Sequence, residues 1–441
     1  MLEAVALPHG ASLYAERVEG ARSFSAGFWF PIGSRHEAPR ERGFVHFVEH
    51  LLFKGTATRT AMDLARSIDR VGGYLNAFTE RDLLCVHCTV PAKHWELALE
   101  ILSDMCFNST FPETEVERER EVIVSEILAS RDEPEEAAHD LFLERIWPGD
   151  PLSRPIAGTP EDVARAGRDG LYAFYRDRLR PENLLVSLAG PLDEGLVAGR
   201  LVSILDPLRE AGTRVRREPG SEAALIAAEP AFSAGIGTVS ANLSQVYLFV
   251  AVPIHPPYDP ADYYVLSALN GAFGESMSSR LFQGLREREG LCYSVFSGFS
   301  VGPVEGLWMA QASSSVKSFP SLLAALEREI ADIAGDRPLG AEELSESLSR
   351  LEGGFDLSLD DSEYRMKRLA RQALHTGVVL DIEETRRRIV TVGREAIDAM
   401  TSRVFGGAER AVFAYGRLGE KGHKALAESG LRVPGLELRH A

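Results

Sequence analysis

Gly43-Phe44-Val45-His46-Phe47-Val48-Glu49-His50-Leu51-Leu52-Phe53-Lys54-Gly55-Thr56 is the stretch on which the reading of this 441-residue chain turns. A helix is expected from about Gly43. Four helical residues turn through about 400°, so His46 and His50 project from nearly the same side. Two imidazoles there can grip one divalent metal, and Zn²⁺ suits nitrogen ligands joined by a carboxylate. Glu49 shares the neighbourhood and is placed to take a proton from a water that the metal activates. The order inverts H-E-x-x-H, an arrangement that also occurs among metallopeptidases. A helix whose two histidines simply pack in a core would carry the same letters. A third protein ligand decides between the readings, because a hydrolytic zinc site has three of them and an open position.

Glu126 is the candidate third ligand, 76 residues beyond His50. It stands in Glu121-Val122-Ile123-Val124-Ser125-Glu126-Ile127-Leu128, whose apolar neighbours predict a largely buried helix. A carboxylate buried there is costly unless it is paired or bound to metal. Glu119 lies two helical turns earlier on the same face, where it can hold a histidine or the water from behind the ligands. It also belongs to the charged run Glu117-Arg118-Glu119-Arg120-Glu121, the composition of a solvated face.

Outward from this centre the chain repeats itself. Phe30-Pro31-Ile32 is matched by Val252-Pro253-Ile254, Leu64 to Phe78 by Leu281 to Phe296, and Val186 to Gly190 by Val412 to Gly416. The offsets are 222, 217 and 226 residues. The chain is therefore expected to be α+β, with two homologous α/β-layered domains forming a pseudo-repeat. Residues 1–214 would be the zinc-binding domain, 215–230 a charged linker with Gly and Pro, and 231–441 the second repeat. Strands mixed with helices in this order predict α+β layers, not a doubly wound parallel sheet. Aligning Phe53 with Phe273 sets Leu266, Leu269 and Asn270 opposite His46, Glu49 and His50, so the second repeat is expected to hold no metal.

Composition narrows the partners. Hydrophobic residues make up 45% and charged residues 26%, normal for a globular chain with a sizeable core. With 65 acidic and 48 basic residues the net charge is −17, which argues against nucleic acid as a partner. No apolar run approaches the ~18–20 residues of a membrane helix, and the first residues lack the features of a signal peptide. A cytoplasmic location without membrane insertion is expected. Four cysteines form no disulfide framework. Cys85-Val86-His87-Cys88 matches C-x-x-C, but it is expected within a strand, where residues three apart point to opposite faces.

His46-x-x-Glu49-His50 followed by Glu126 resembles the pitrilysin family of inverted-motif zinc metallopeptidases, and within it the processing-peptidase branch. Gly43 to Thr56 is similar to the family's motif helix, and Gly72 to Thr79 to its substrate-side strand. Ser279-Arg280-Leu281-Phe282 and Arg286 to Ser294 resemble the signature of its second domain. The resemblance implies one Zn²⁺ per chain, held by His46, His50 and Glu126, with Glu49 as catalytic base. It implies that Arg286 and Tyr293 assist from the second domain, and that substrate lies along the strand at Asn76 and Ala77. It further implies an extended peptide or unfolded segment as substrate. The working form would be a homodimer, with a heterodimer containing an inactive paralogue left open. A non-catalytic core subunit of the same fold is the rival reading, and the intact Glu49 argues against it.

Overall fold

The computed structural model describes residues 1–210, 229–255, 261–302, 304–407, 409–429 and 439–440. Of the expected linker 215–230, only Glu229 and Pro230 lie within them. Among the described residues each half contributes one six-stranded sheet.

The first sheet takes β1 (Val5–Ala6), β2 (Ser12–Arg17), β3 (Ser23–Phe30), β4 (Tyr74–Thr79), β5 (Leu84–Pro91) and β6 (Leu185–Gly190) in the order β1-β2-β6-β3-β5-β4. The second takes β7 (Gly235–Val239), β8 (Gln245–Pro253), β9 (Ser294–Val301), β10 (Gly306–Ser315), β11 (Ala411–Tyr415) and β12 (Arg439–His440) in the order β12-β7-β11-β8-β10-β9. The run β2-β6-β3-β5-β4 corresponds strand for strand to β7-β11-β8-β10-β9, whereas the outermost strands differ, β1 pairing antiparallel with β2 and β12 parallel with β7. Each sheet is mainly antiparallel, and the equivalent pairs β2·β6 and β7·β11 are both parallel. The repeated sequence segments fall on equivalent elements: the ends of β3 and β8, the strands β6 and β11, and the run into β4 or β9. The α+β pseudo-repeat is thus a property of the backbone as well as of the sequence.

Central β3 is buried along almost its whole length because helices cover both faces of its sheet. Phe24, Ala26, Phe28 and Phe30 face the main core, which they share with helices α1 (Phe44–Leu52), α2 (Ala61–Asp69), α3 (Trp95–Asn108) and α4 (Glu113–Asp132). Trp29, on the other face, packs with Cys85, Leu185, Met366 and Ala370. Met366 and Ala370 belong to the helix Ser362–Thr376, from the chain's second half. Gly27 lets that helix come close, since a Cβ there would lie 2.5 Å from the Met366 sulfur. Polar contacts fix the same helix: Arg368 donates to Glu16 at 2.6 Å, and Ser25 and Ser362 share a hydrogen bond of 2.8 Å.

The exchange is reciprocal. Helix α5 (Pro134–Ile146) follows directly on α4 but covers the second sheet, with Phe142 stacked on Phe249 at 4.8 Å beside Phe413. The compact units therefore do not follow chain order. One comprises Met1–Asp132, the described part of Arg154–Leu225, and Ser358–Asp381. The other comprises Glu133–Ser153, the described part of Ile226–Leu357, and Ile382–Ala441 as far as described. Division at 214 and 231 misses this, because each sheet recruits a helix from the other half to bury its second face. No described helix is long and apolar enough to cross a membrane.

Candidate metal centre

Helix α1 buries Phe44, Val45, Phe47, Val48, Leu51 and Leu52, which turns His46, Glu49 and His50 to its less buried side. Its start is closely fixed. Gly43 has φ +79°, and a Cβ on it would lie 2.6 Å from the Ala157 carbonyl oxygen. The Glu37 carboxylate accepts from the backbone N–H groups of Gly43 and Val45, both at 2.8 Å. Burial pushes the Glu37 carboxyl up to about 8, against the opposing pull of those two hydrogen bonds.

Helix α4 buries Val116, Glu119, Ile123 and Ile127, while Val122, Ser125, Glu126 and Leu128 are exposed. The expectation for the two glutamates is thereby reversed. Glu126 does not sit on a buried helix: its side chain is 53% exposed, whereas that of Glu119, in the charged run, is 7% exposed. The face of α4 carrying residues 116, 119, 123 and 127 meets the core, Val124 packs at its edge half-buried, and Val122 and Leu128 point outward.

The first unit brings His46, His50 and Glu126 together, with one ligand atom from each lying within 4.8 Å of the others. Nε2 of His46 is 3.8 Å from one Glu126 oxygen, and Nε2 of His50 is 3.5 Å from the other. The two rings are 4.7 Å apart between centroids. Burial, then the nearby His50, lowers the His46 pKa to about 4, so His46 is neutral at neutral pH and keeps a lone pair to offer. His50 Nδ1 is 3.1 Å from Glu119, whose other oxygen meets Lys54 Nζ at 2.7 Å. A carboxylate only accepts, so His50 donates from Nδ1 and Nε2 is left free for a metal. Two imidazole nitrogens and one carboxylate fit a divalent zinc ion with room for a further ligand.

Glu49 takes no part in that triad. Its Oε2 accepts from Thr79 Oγ1 at 2.5 Å, and burial raises its pKa above the usual carboxylate range. Thr79 ends β4, the edge strand, which pairs only with β5 among the described residues. Asn76 and Ala77 lie on that strand, Asn76 exposed and donating to the Tyr74 hydroxyl at 2.7 Å, Ala77 buried.

Arg286 and Tyr293 belong to the second unit. The Arg286 guanidinium lies 4.6 Å from the Phe282 ring centroid and 5.9 Å from that of Tyr293, whose side chain is strongly exposed. The positions facing the metal motif in the repeat are chemically occupied. Leu266 and Leu269 are core residues, and buried Asn270 accepts from Ser297 Oγ at 2.6 Å and Trp308 Nε1 at 3.2 Å. Cys85 and Cys88 point to opposite faces of β5, and all four cysteines are free thiols. Sequence reasoning missed Thr79, Lys54 and Glu37 as supports of the site. Lys54 carried a signal, standing one helical turn beyond His50. Glu37 carried none, since it acts on backbone groups.

Residues 14–160 match the family described as insulinase (peptidase family M16), and residues 165–351 match the peptidase M16 inactive domain. A zinc protease of Mycobacterium leprae is 36% identical over 89% of this chain and 87% of its own length. This chain belongs to peptidase family M16, the pitrilysin family. A second relative is the zinc protease YmxG of Bacillus subtilis, 29% identical over 92% of this chain and 96% of that one. Among solved structures, an M16 inactive-domain protein from Pseudomonas fluorescens superposes with a TM-score of 0.84 at 18% identity, covering 94% of this chain and 98% of that one. A Helicobacter pylori protease gives 0.83 at 17% identity, covering 94% and 99%. Those two likenesses establish a shared fold.

Proposed function

We propose that this M16 chain is a zinc-dependent endopeptidase acting on extended peptides or unfolded segments. The observation that carries the reading is the convergence of His46, His50 and Glu126 beside a separately held Glu49. His46, His50 and Glu126 would hold the zinc, which when bound supplies Lewis acidity toward water and the scissile carbonyl. Glu49 takes a proton from the attacking water as the new C–O bond forms. It returns that proton to the amine nitrogen as the C–N bond breaks. Thr79 holds one Glu49 oxygen, directing the other toward the reacting water.

Asn76 and Ala77 lie on the exposed edge strand, where a substrate backbone can add as one more strand. Main-chain pairing is indifferent to side chains and demands an extended chain. Arg286 and Tyr293 would serve as donors to the substrate and to the charge that develops on its carbonyl oxygen. One zinc serves each chain, and the working form is a homodimer.

The test is digestion of unstructured peptides alongside the same sequences held within folded proteins. The expected outcome is cleavage of the first set only, loss of cleavage on chelation, and its return with one equivalent of zinc. Hydrolysis unaffected by chelation would contradict the reading. Zinc uptake without hydrolysis would point instead to a non-catalytic or partner-dependent subunit.

A further inference from the structure

We propose that Lys54 is a positioning residue of the metal centre, acting on His50 through Glu119. The inference rests on the zinc-peptidase reading and adds a residue to it. His46, His50 and Lys54 recur at four-residue intervals, which puts them in one row along α1 and its C-terminal turn. That turn continues past Leu52, with the Lys54 N–H donating to the Leu51 carbonyl at 3.1 Å. On α4, Glu126 and Glu119 stand seven residues apart on one face. The two rows interleave. Glu126 faces both histidines, and Glu119 faces His50 and Lys54.

The two glutamates differ in what they need. Glu126 is half in solvent, so water satisfies it when no ion is present. Glu119 is buried, and a buried carboxylate is tolerated only with its charge and lone pairs answered. Lys54 supplies the charge at 2.7 Å on Oε1, which leaves Oε2 to face His50 Nδ1 at 3.1 Å. With Oε1 tied, the carboxylate cannot rotate away from the ring. The ring in turn keeps Nε2 on the side of Glu126. Take away the ammonium, and Oε1 loses its partner while the carboxylate loses its fixed orientation. The histidine is then no longer preorganised, and metal affinity falls although no ligand has been touched.

The experiment measures zinc affinity by competition with a chromophoric chelator in wild type, Lys54→Met, Lys54→Arg, Glu119→Gln and the Lys54→Met/Glu119→Gln double variant. The absorption spectrum of the cobalt-substituted proteins is recorded in parallel. Outer partners of ligating histidines typically contribute about 10–100-fold in affinity, and Lys54→Met is expected to lose zinc binding in that range. Lys54→Arg should stay within a few-fold of wild type and keep its cobalt spectrum. Because Lys54 acts through Glu119, the double variant should bind zinc no more weakly than Glu119→Gln alone.

Wild-type affinity in Lys54→Met, or losses that add fully in the double variant, would overturn the proposal while leaving the peptidase reading intact. A wild type with no zinc affinity would overturn the peptidase reading and this inference with it. If Lys54→Met does not fold, Lys54→Gln takes its place in the same comparison, and the same outcomes decide.

Discussion

Glu49→Gln is expected to bind zinc as wild type does and to hydrolyse unstructured peptides about 10²–10⁴-fold more slowly, the usual range for a lost general base. The amide has the size and shape of the carboxylate and still offers an oxygen to Thr79, whose hydroxyl lies 2.5 Å from Glu49. It cannot take a proton. None of the three proposed ligands is altered, so occupancy should be conserved and the loss should fall on kcat. The check is zinc content by elemental analysis together with initial cleavage rates, on protein freed of contaminating proteases. Wild-type rates in Glu49→Gln would remove Glu49 from the chemistry.

His50→Ala should be more drastic, since it deletes a proposed ligand and the group that meets Glu119. Cleavage should fall to background, and the variant should retain no zinc through dialysis. Stability provides a second readout. A ligand that binds only the folded state stabilises it by about 4 kcal/mol at a roughly thousand-fold excess over Kd. Wild-type unfolding should therefore shift upward with free zinc, and His50→Ala should show no such dependence. A variant that still gains stability from zinc would mean that the ion sits elsewhere. Thermal unfolding at several zinc concentrations reads this directly.

Much of the centre was legible because its spacing is local. His46, Glu49 and His50 lie within about one helical turn, where geometry follows from the backbone alone. Glu119 and Glu126 share one face of α4 for the same reason. Burial was harder to read. Val122, Ile123, Val124, Ile127 and Leu128 suggested a buried helix, yet only Ile123 and Ile127 are fully buried, and the charged run conceals the buried Glu119. The eye weighs apolar letters, whereas packing weighs which side of a helix they fall on.

The helix exchange lay beyond such reading. The sequences of Pro134–Ile146 and Ser362–Thr376 declare apolar faces, but nothing in them states which sheet each will cover. Phe142 against Phe249, and Met366 beside Gly27, are decisions of tertiary packing between residues over 100 positions apart. Glu37 was illegible for a related reason. Its partners are two backbone N–H groups, which every sequence possesses. The repeat itself was legible because Phe30-Pro31-Ile32 and Val252-Pro253-Ile254 mark the same strand ends in both sheets.

The proposed function requires one zinc ion held by His46, His50 and Glu126. Anomalous diffraction at the zinc edge, on crystals of wild-type protein loaded with one equivalent of zinc, tests it most directly. A single peak per chain is expected, bonded to Nε2 of His46, Nε2 of His50 and the carboxylate of Glu126, with no sulfur ligand. A peak at the cysteines or elsewhere, or none between α1 and α4, would contradict it.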